Sequence, residues 1–69
     1  MRPTSIKING TRYKIQKPQM AYDEICQYAD IDPENEPFVD WETKYYGGNL
    51  LPGQRIDLEK GLEITVGFD

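Results

Sequence analysis

The stretch Leu62-Glu63-Ile64-Thr65-Val66-Gly67-Phe68-Asp69 alternates apolar and polar residues over nearly its whole length. This alternation is typical of a β-strand that has one buried face and one exposed face. The stretch therefore predicts a strand from which the last residues leave the fold directly. We expect a sheet that can present its C-terminal segment to other molecules.

A β-hairpin is predicted near the start of the sequence. Residues 5–9 alternate polar and apolar side chains and lead into Asn9-Gly10. This dipeptide favours a tight hairpin turn because both of its residues accept a positive φ. Residues 11–16 alternate again, and Pro18 ends the second strand since proline has no N–H to donate to a ladder.

One amphipathic helix is predicted over residues 21–29. Tyr22, Ile25, Cys26 and Ala29 are spaced at i, i+3, i+4 and i+7, which places them on one helix face. This face is expected to cover the sheet. Residues 32–37 then form an acidic loop bounded by prolines.

The second half of the sequence predicts two more strands before the last one. Residues 38–46 are rich in residues that favour strands, and residues 55–58 form a shorter segment. Gly47-Gly48 between them is interpreted as a plain turn. The side chains expected to face the core are Val39, Trp41, Thr43, Tyr45, Ile56 and Leu58.

This order of elements predicts an α+β fold of the β-grasp (ubiquitin-like) type. A mixed four- to five-stranded sheet is covered by one helix, and residues 1–69 form a single domain. The first and last strands are the most apolar on their inward sides. We expect them to lie side by side and parallel at the centre of the sheet.

Composition excludes several classes of function. The 69 residues include 12 acidic and 8 basic side chains, for a net charge of −4, and nucleic-acid binding needs a basic surface instead. One Cys and no His leave no material for a disulfide, a zinc site or an iron–sulfur cluster. The sequence has no apolar run long enough to span a membrane and no signal peptide, so a cytoplasmic protein with no membrane and no nucleic-acid partner is expected.

No group of residues predicts catalysis, a metal site or a cofactor. Cys26 lies on the apolar helix face with no His to activate it, so we interpret it as a core residue rather than a nucleophile. Asp40 and Glu42 alternate with apolar residues and are interpreted as a solvated strand face rather than a carboxylate pair. The chain is expected not to be an enzyme.

Three blocks of the sequence carry a resemblance to a known family. They are IKINGTRYKIQKP, YDEICQYADIDP and LLPGQRIDLEKGLEITV, which occur in this order and together span residues 6–66. In order and spacing they resemble the bacterial multi-ubiquitin domain family of prokaryotic ubiquitin-like proteins.

The resemblance implies a protein modifier of a bacterial conjugation pathway, in some sets an anti-phage defence system. Its implied partners are an activating enzyme, a conjugating enzyme and a deubiquitinase-like protease. The tail that these enzymes would handle is Gly67, Phe68 and Asp69. Ubiquitin-type modifiers usually end in Gly-Gly, which this sequence has only at Gly47-Gly48.

This departure leaves other functions open. The chain is alternatively a ubiquitin-like adaptor that is never conjugated, or one unit of a tandem array. A sulfur carrier shares the fold but needs the Gly-Gly tail.

A partner-binding surface is implied near the end of the third long strand, where ubiquitin-like folds usually dock their partners. Tyr45, Tyr46, Leu50 and Leu51 cluster there in sequence. They either form an exposed patch or complete the core of a small domain. The residues expected to bind partners are Lys44, Tyr46 and Leu50.

Overall fold

The computed structural model describes residues 2–69. In chain order its strands are β1 Thr4–Ile8, β2 Thr11–Ile15, β3 Gln19–Ala21, β4 Phe38–Glu42, β5 Gly47–Leu50, β6 Arg55–Asp57 and β7 Glu63–Gly67. One helix, α1 Tyr22–Tyr28, follows β3, and a 3-10 helix spans Pro33–Asn35. The sheet of five strands has the order β2-β1-β7-β4-β5, and β3 pairs separately with β6.

The centre of the large sheet is the parallel pair of β1 and β7. Lys7 lies opposite Glu63 and Ile8 opposite Ile64. On its other side β7 pairs antiparallel with β4. A mixed sheet with a single α-helix is the α+β, ubiquitin-like β-grasp fold predicted from the sequence, and the expected parallel central pair is confirmed.

The hairpin between β1 and β2 has the predicted turn. Asn9 and Gly10 adopt φ values of 50° and 82°, and Ile8 pairs with Thr11 across the turn. A turn with positive φ at both central residues matches the twist of the two strands, which is why Asn-Gly is favoured there.

The core lies between the large sheet and α1. Tyr22, Ile25 and Cys26 of the helix are buried, as the helical spacing predicts. The helix is one residue shorter at each end than expected from the sequence, because Ala21 belongs to β3 and Ala29 is the C-terminal cap. Outside the helix, the fully buried side chains include Ile6, Ile8, Met20, Val39, Leu62 and Ile64.

The third long strand is shorter than predicted. β4 ends at Glu42 because the Thr43 hydroxyl accepts hydrogen bonds from the backbone N–H groups of Tyr45 and Tyr46, each at 3.2 Å. Residues 43–46 therefore form the turn that joins β4 to β5. The prediction that Tyr45 faces the core is therefore wrong, since its side chain is 82% exposed.

Gly47-Gly48, predicted to be a plain turn, is instead part of the edge strand β5. Gly48 pairs with Trp41 across the β4–β5 ladder. A Cβ at Gly48 would lie 3.1 Å from Cζ2 of the Trp41 indole, so the ring packs against bare backbone. Trp41 is half-buried at the border of the core.

The pairing of β3 with β6 was not predicted from the sequence. Met20 lies opposite Ile56, and its side chain is fully buried. β6 lies within the strand predicted over residues 55–58, but its partner β3 was missed because three residues are too few to show the alternation that identifies a strand. Met20 and Ile56 both belong to the buried core.

Candidate functional site

The C-terminal end of β7 is the first part of the candidate site. The strand continues through Gly67, which pairs with Phe38. A Cβ at Gly67 would lie 3.2 Å from Cζ of the Phe38 ring, so glycine allows this ring to lie close to the backbone. Gly67, expected to belong to the tail, is therefore a sheet residue. Phe68 and Asp69 lie beyond the strand and are exposed.

Asn9 holds the end of β7 in place. β1 has ended at Ile8, but the backbone N–H of Asn9 still donates to the Ile64 carbonyl at 2.9 Å. Further along β7, where β1 no longer lies beside it, the side-chain amide of Asn9 takes the place of a strand backbone. Its Nδ2 donates to the Val66 carbonyl at 3.1 Å, and its Oδ1 accepts from the Val66 N–H at 2.8 Å.

Sequence reasoning identified Asn9 only as a turn residue. Its contact with Val66 joins positions 57 residues apart, and no local pattern predicts it. The side-chain amide offers one donor and one acceptor, as a peptide group does, so it extends the β1–β7 ladder by one residue. The direction in which the last residues leave the sheet is thereby fixed.

An exposed apolar surface surrounds this exit. Phe68 and Leu51 are 57% and 54% exposed. Together with Pro37, Phe38 and Pro52 they line a shallow cavity of about 230 Å³. A molecule that takes hold of the last residues therefore meets apolar side chains beside them.

The three residues expected to bind partners are placed differently from one another. Tyr46 is 58% exposed, and Lys44 is exposed with its Nζ 5.6 Å from the centre of the Tyr45 ring. Leu50 is only 5% exposed and belongs to the core, so its expected place on an exposed surface is wrong. The pairing of Leu50 with Val39 turns its side chain inward and leaves the next residue, Leu51, outside.

Tyr46 borders a groove of about 650 Å³ beside β5. Its ring meets the Trp41 indole edge to face, with centroids 5.8 Å apart. Its hydroxyl donates to Oε1 of Glu59 at 3.1 Å, and this bond to a carboxylate raises the pKa of Tyr46. The phenol of Tyr46 therefore stays neutral, and its hydrogen bond to Glu59 spans the groove.

The candidate nucleophile Cys26 lies in the core, as predicted. Its side chain is fully buried, and burial followed by the negative charge of Asp23 raises the pKa of the thiol. Both effects disfavour the thiolate that a nucleophilic cysteine requires. Asp40 and Glu42 are exposed on the outer face of the sheet, as the strand alternation predicts.

Two further features concern metals and membranes. Within residues 2–69, no three His, Cys, Asp or Glu side chains come together in a way that would hold a metal ion. In the same part of the chain, no helix has the length and apolar character needed to cross a bilayer.

Comparison with protein-family models gives one match. The family described as multiubiquitin matches residues 4–69, which is almost the whole chain. Comparisons with curated proteins and with solved structures find no match. Domains of the matched family are small β-grasp modules and are generally not enzymes.

Proposed function

Because this chain belongs to the multiubiquitin family, we propose that it is a ubiquitin-like modifier, activated at its C-terminal carboxylate by a partner enzyme that uses ATP. The chain itself performs no catalysis. It serves as a folded body that the partner recognises and whose last residues the partner handles.

The observation that carries this proposal is the exit of the central strand. β4 pairs with β7 over its whole length, β1 pairs with its first two residues, and the Asn9 side chain bonds the backbone of Val66 on the β1 side. Phe68 and Asp69 then stand free of the sheet beside the apolar surface of Leu51 and Pro52. A rigid fold whose central strand leads into exposed residues suits an enzyme that must recognise the fold and handle the residues that follow the strand, since little ordering of the fold is required on binding.

The proposed activation follows ordinary acyl chemistry. An oxygen of the terminal carboxylate attacks the α-phosphorus of ATP, forming a carbon–oxygen–phosphorus linkage while pyrophosphate leaves. A thiol or amine of the next protein then attacks the carbonyl carbon and loses its proton, and AMP leaves. The energy for the new bond comes from ATP, so this chain needs no nucleotide site and no cofactor.

In this proposal the chain works in the bacterial cytoplasm, where ATP is supplied. Its partners are the activating enzyme, a conjugating enzyme that receives the acyl group, and a deubiquitinase-like protease that removes it. Service in anti-phage defence is part of the same proposal. Tyr46 and Lys44 are the residues we assign to partner contacts outside the tail.

Exchange of labelled pyrophosphate into ATP tests the activation step. The mature chain from its host, added to the activating enzyme of its pathway, should cause exchange. The same chain with its terminal carboxylate converted to an amide should cause none. Absence of exchange with the untreated chain, under conditions where the enzyme binds ATP, would contradict the proposal.

A second candidate is an adaptor that binds the same partners and is not conjugated. The exposure of Tyr45 and Tyr46 favours it, since exposed aromatic side chains are enriched at the centres of interfaces. An adaptor would bind the activating enzyme equally well with a free or an amidated terminus and would cause no exchange.

A further inference from the structure

The large sheet has two unpaired edges, β2 on one side and β5 on the other. In the part of the chain that the structure describes, the backbone of neither strand makes hydrogen bonds beyond its own ladder. Such edges present free N–H and C=O groups to another strand. The question is which strand fits them.

The turn at each edge fixes which residues direct their backbone groups outward. In an antiparallel pair every second residue turns its N–H and C=O away from its partner. The two-residue turn that pairs Ile8 with Thr11 makes Arg12 and Lys14 the outward residues of β2. At the other edge, the Thr43 N–H donates to the Tyr46 carbonyl, so Gly47 and Asn49 are the outward residues of β5.

The two edges also run in opposite directions. β2 is antiparallel to β1, β1 is parallel to β7, β7 is antiparallel to β4, and β4 is antiparallel to β5. A second copy shifted sideways in the plane of the sheet therefore places its β2 antiparallel to β5 of the first. In one register, the outward backbone N–H and C=O groups of both edges can all form hydrogen bonds with each other. In this register Arg12 lies opposite Asn49 and Lys14 lies opposite Gly47.

Charge supports the same register. Arg12 and Lys14 stand exposed on the outer face of β2. Behind Asn49 and Gly47 lie Asp40 and Glu42, their partners in β4. Glycine and asparagine leave room above β5, and two strand spacings of about 4.8 Å lie within reach of extended basic and acidic side chains. Arg12 would thus approach Asp40, and Lys14 would approach Glu42.

All four charges are available for this contact. The ion pair found within residues 2–69 joins Lys17 to Glu24 and involves none of them.

On the inner face of the sheet, the side chains of the two copies also complement each other at this contact. The same register sets Tyr13 of the second copy opposite Gly48, where the Trp41 indole packs on bare backbone. Tyr13 is half-buried, and its ring is held at 4.9 Å from the Tyr28 ring, edge to face. An aromatic side chain would thereby cover the open side of the groove beside β5.

We propose that β5 binds the β2 edge of a second copy of this chain, forming one continuous antiparallel sheet across the two molecules. The contact is head to tail, so each copy keeps one free edge and further copies add in the same way. A contact of two short strands belongs to the small and transient class of interfaces, so association is weak and depends on concentration.

Sedimentation velocity tests the proposal, starting from the monomer mass of 8.0 kDa. The average mass should rise over roughly 0.02 to 1 mM, the range in which weak contacts form. It should fall when salt increases from about 0.05 to about 0.5 M, because the charges are exposed.

Charge reversal provides the matched variants. Arg12→Glu with Lys14→Glu should weaken association about tenfold or more, and so should Asp40→Lys with Glu42→Lys. Mixing the two double variants should restore association, since each supplies the edge that the other lacks. Asp23→Lys with Glu34→Lys changes the net charge as much as the second variant, but these exposed residues belong to α1 and the 3-10 helix and to no strand of the sheet, so this variant should associate like the parent.

Three results would overturn the proposal: a parent chain that stays monomeric at about 1 mM, double variants that associate like the parent, or a mixture that remains monomeric. If the chain stays monomeric but binds a separate basic peptide at β5, the edge belongs to a partner strand and not to a second copy. Circular dichroism of each variant confirms that the fold is retained.

Discussion

The side-chain amide of Asn9 forms two hydrogen bonds with the main chain of Val66, donating at 3.1 Å and accepting at 2.8 Å. It acts as one more peptide group of β1, which has already ended. The first turn of the fold is thus joined to the last paired residues. This junction decides where Phe68 and Asp69 leave the sheet.

Removal of the Asn9 side chain should destabilise the fold. Asn9→Gly keeps a residue that accepts the φ of 50° but loses both bonds to Val66. We expect the free energy of unfolding to fall by about 1–3 kcal/mol, measured by urea denaturation. Asn35→Ala, at an exposed position, serves as the control and should change it by less than about 0.5 kcal/mol. Equal losses in the two variants would show that the amide bonds contribute nothing.

Core and surface positions should separate clearly in stability. Ile8 is 1% exposed on the central strand pair, so Ile8→Ala leaves a cavity and should cost about 3 kcal/mol. Tyr45 is 82% exposed, and Tyr45→Ala should cost less than about 0.5 kcal/mol. Thermal and urea unfolding measure both. A larger loss at Tyr45 than at Ile8 would mean that the strand faces are misassigned.

Glu24 should make stability depend on pH. Its carboxylate accepts a hydrogen bond from Lys17 and another from the Ala21 N–H, which lower its pKa from the usual 4.5. A lowered pKa in the folded state stabilises the protein above about pH 4.5, and this contribution is lost as the pH falls through the folded pKa. Glu24→Gln should therefore be less stable than the parent at neutral pH.

The difference between the parent and Glu24→Gln should shrink in acid. Urea midpoints measured at neutral pH and at steps below pH 4.5 follow it. Glu34→Gln, a change at an exposed residue, corrects for the general effect of removing one negative charge. A difference that stays constant into acid would exclude the assigned role of Glu24.

The buried thiol should react slowly. Cys26 is fully buried and its pKa is raised, so a thiol reagent should modify the native chain at least about 100-fold more slowly than the chain unfolded in urea. With a disulfide reagent, the aromatic thiolate that leaves when Cys26 reacts is followed by its absorbance, and this gives both rates. Similar rates would place Cys26 at the surface and contradict its interpretation as a core residue.

The sequence predicted the parts of the fold that local chemistry determines. Asn9-Gly10 identified the first hairpin, and the spacing of Tyr22, Ile25 and Cys26 identified the buried helix face. The strongly apolar inward sides of the first and last strands indicated their central pairing. In each case neighbouring residues carry the whole signal.

The parts that were missed depend on contacts between distant residues. Met20 pairs with Ile56, and the strand that carries Met20 is too short to show a period. Leu50 and Leu51 are identical neighbours, and only the pairing of Leu50 with Val39 decides which one is buried. The same holds for the site, since the bonds of Asn9 to Val66 leave no trace in either local segment.

The central claim, that the C-terminal carboxylate becomes joined to another protein, is tested most directly by mass spectrometry of the chain isolated from its host and digested with trypsin. Cleavage after Lys60 should yield a branched peptide in which the segment beginning at Gly61 is linked through its terminal carboxyl to an amine of an acceptor, with loss of one water. Recovery of that segment only in the unlinked form, or of adducts only at Cys26 or at lysine side chains of this chain, would contradict the account.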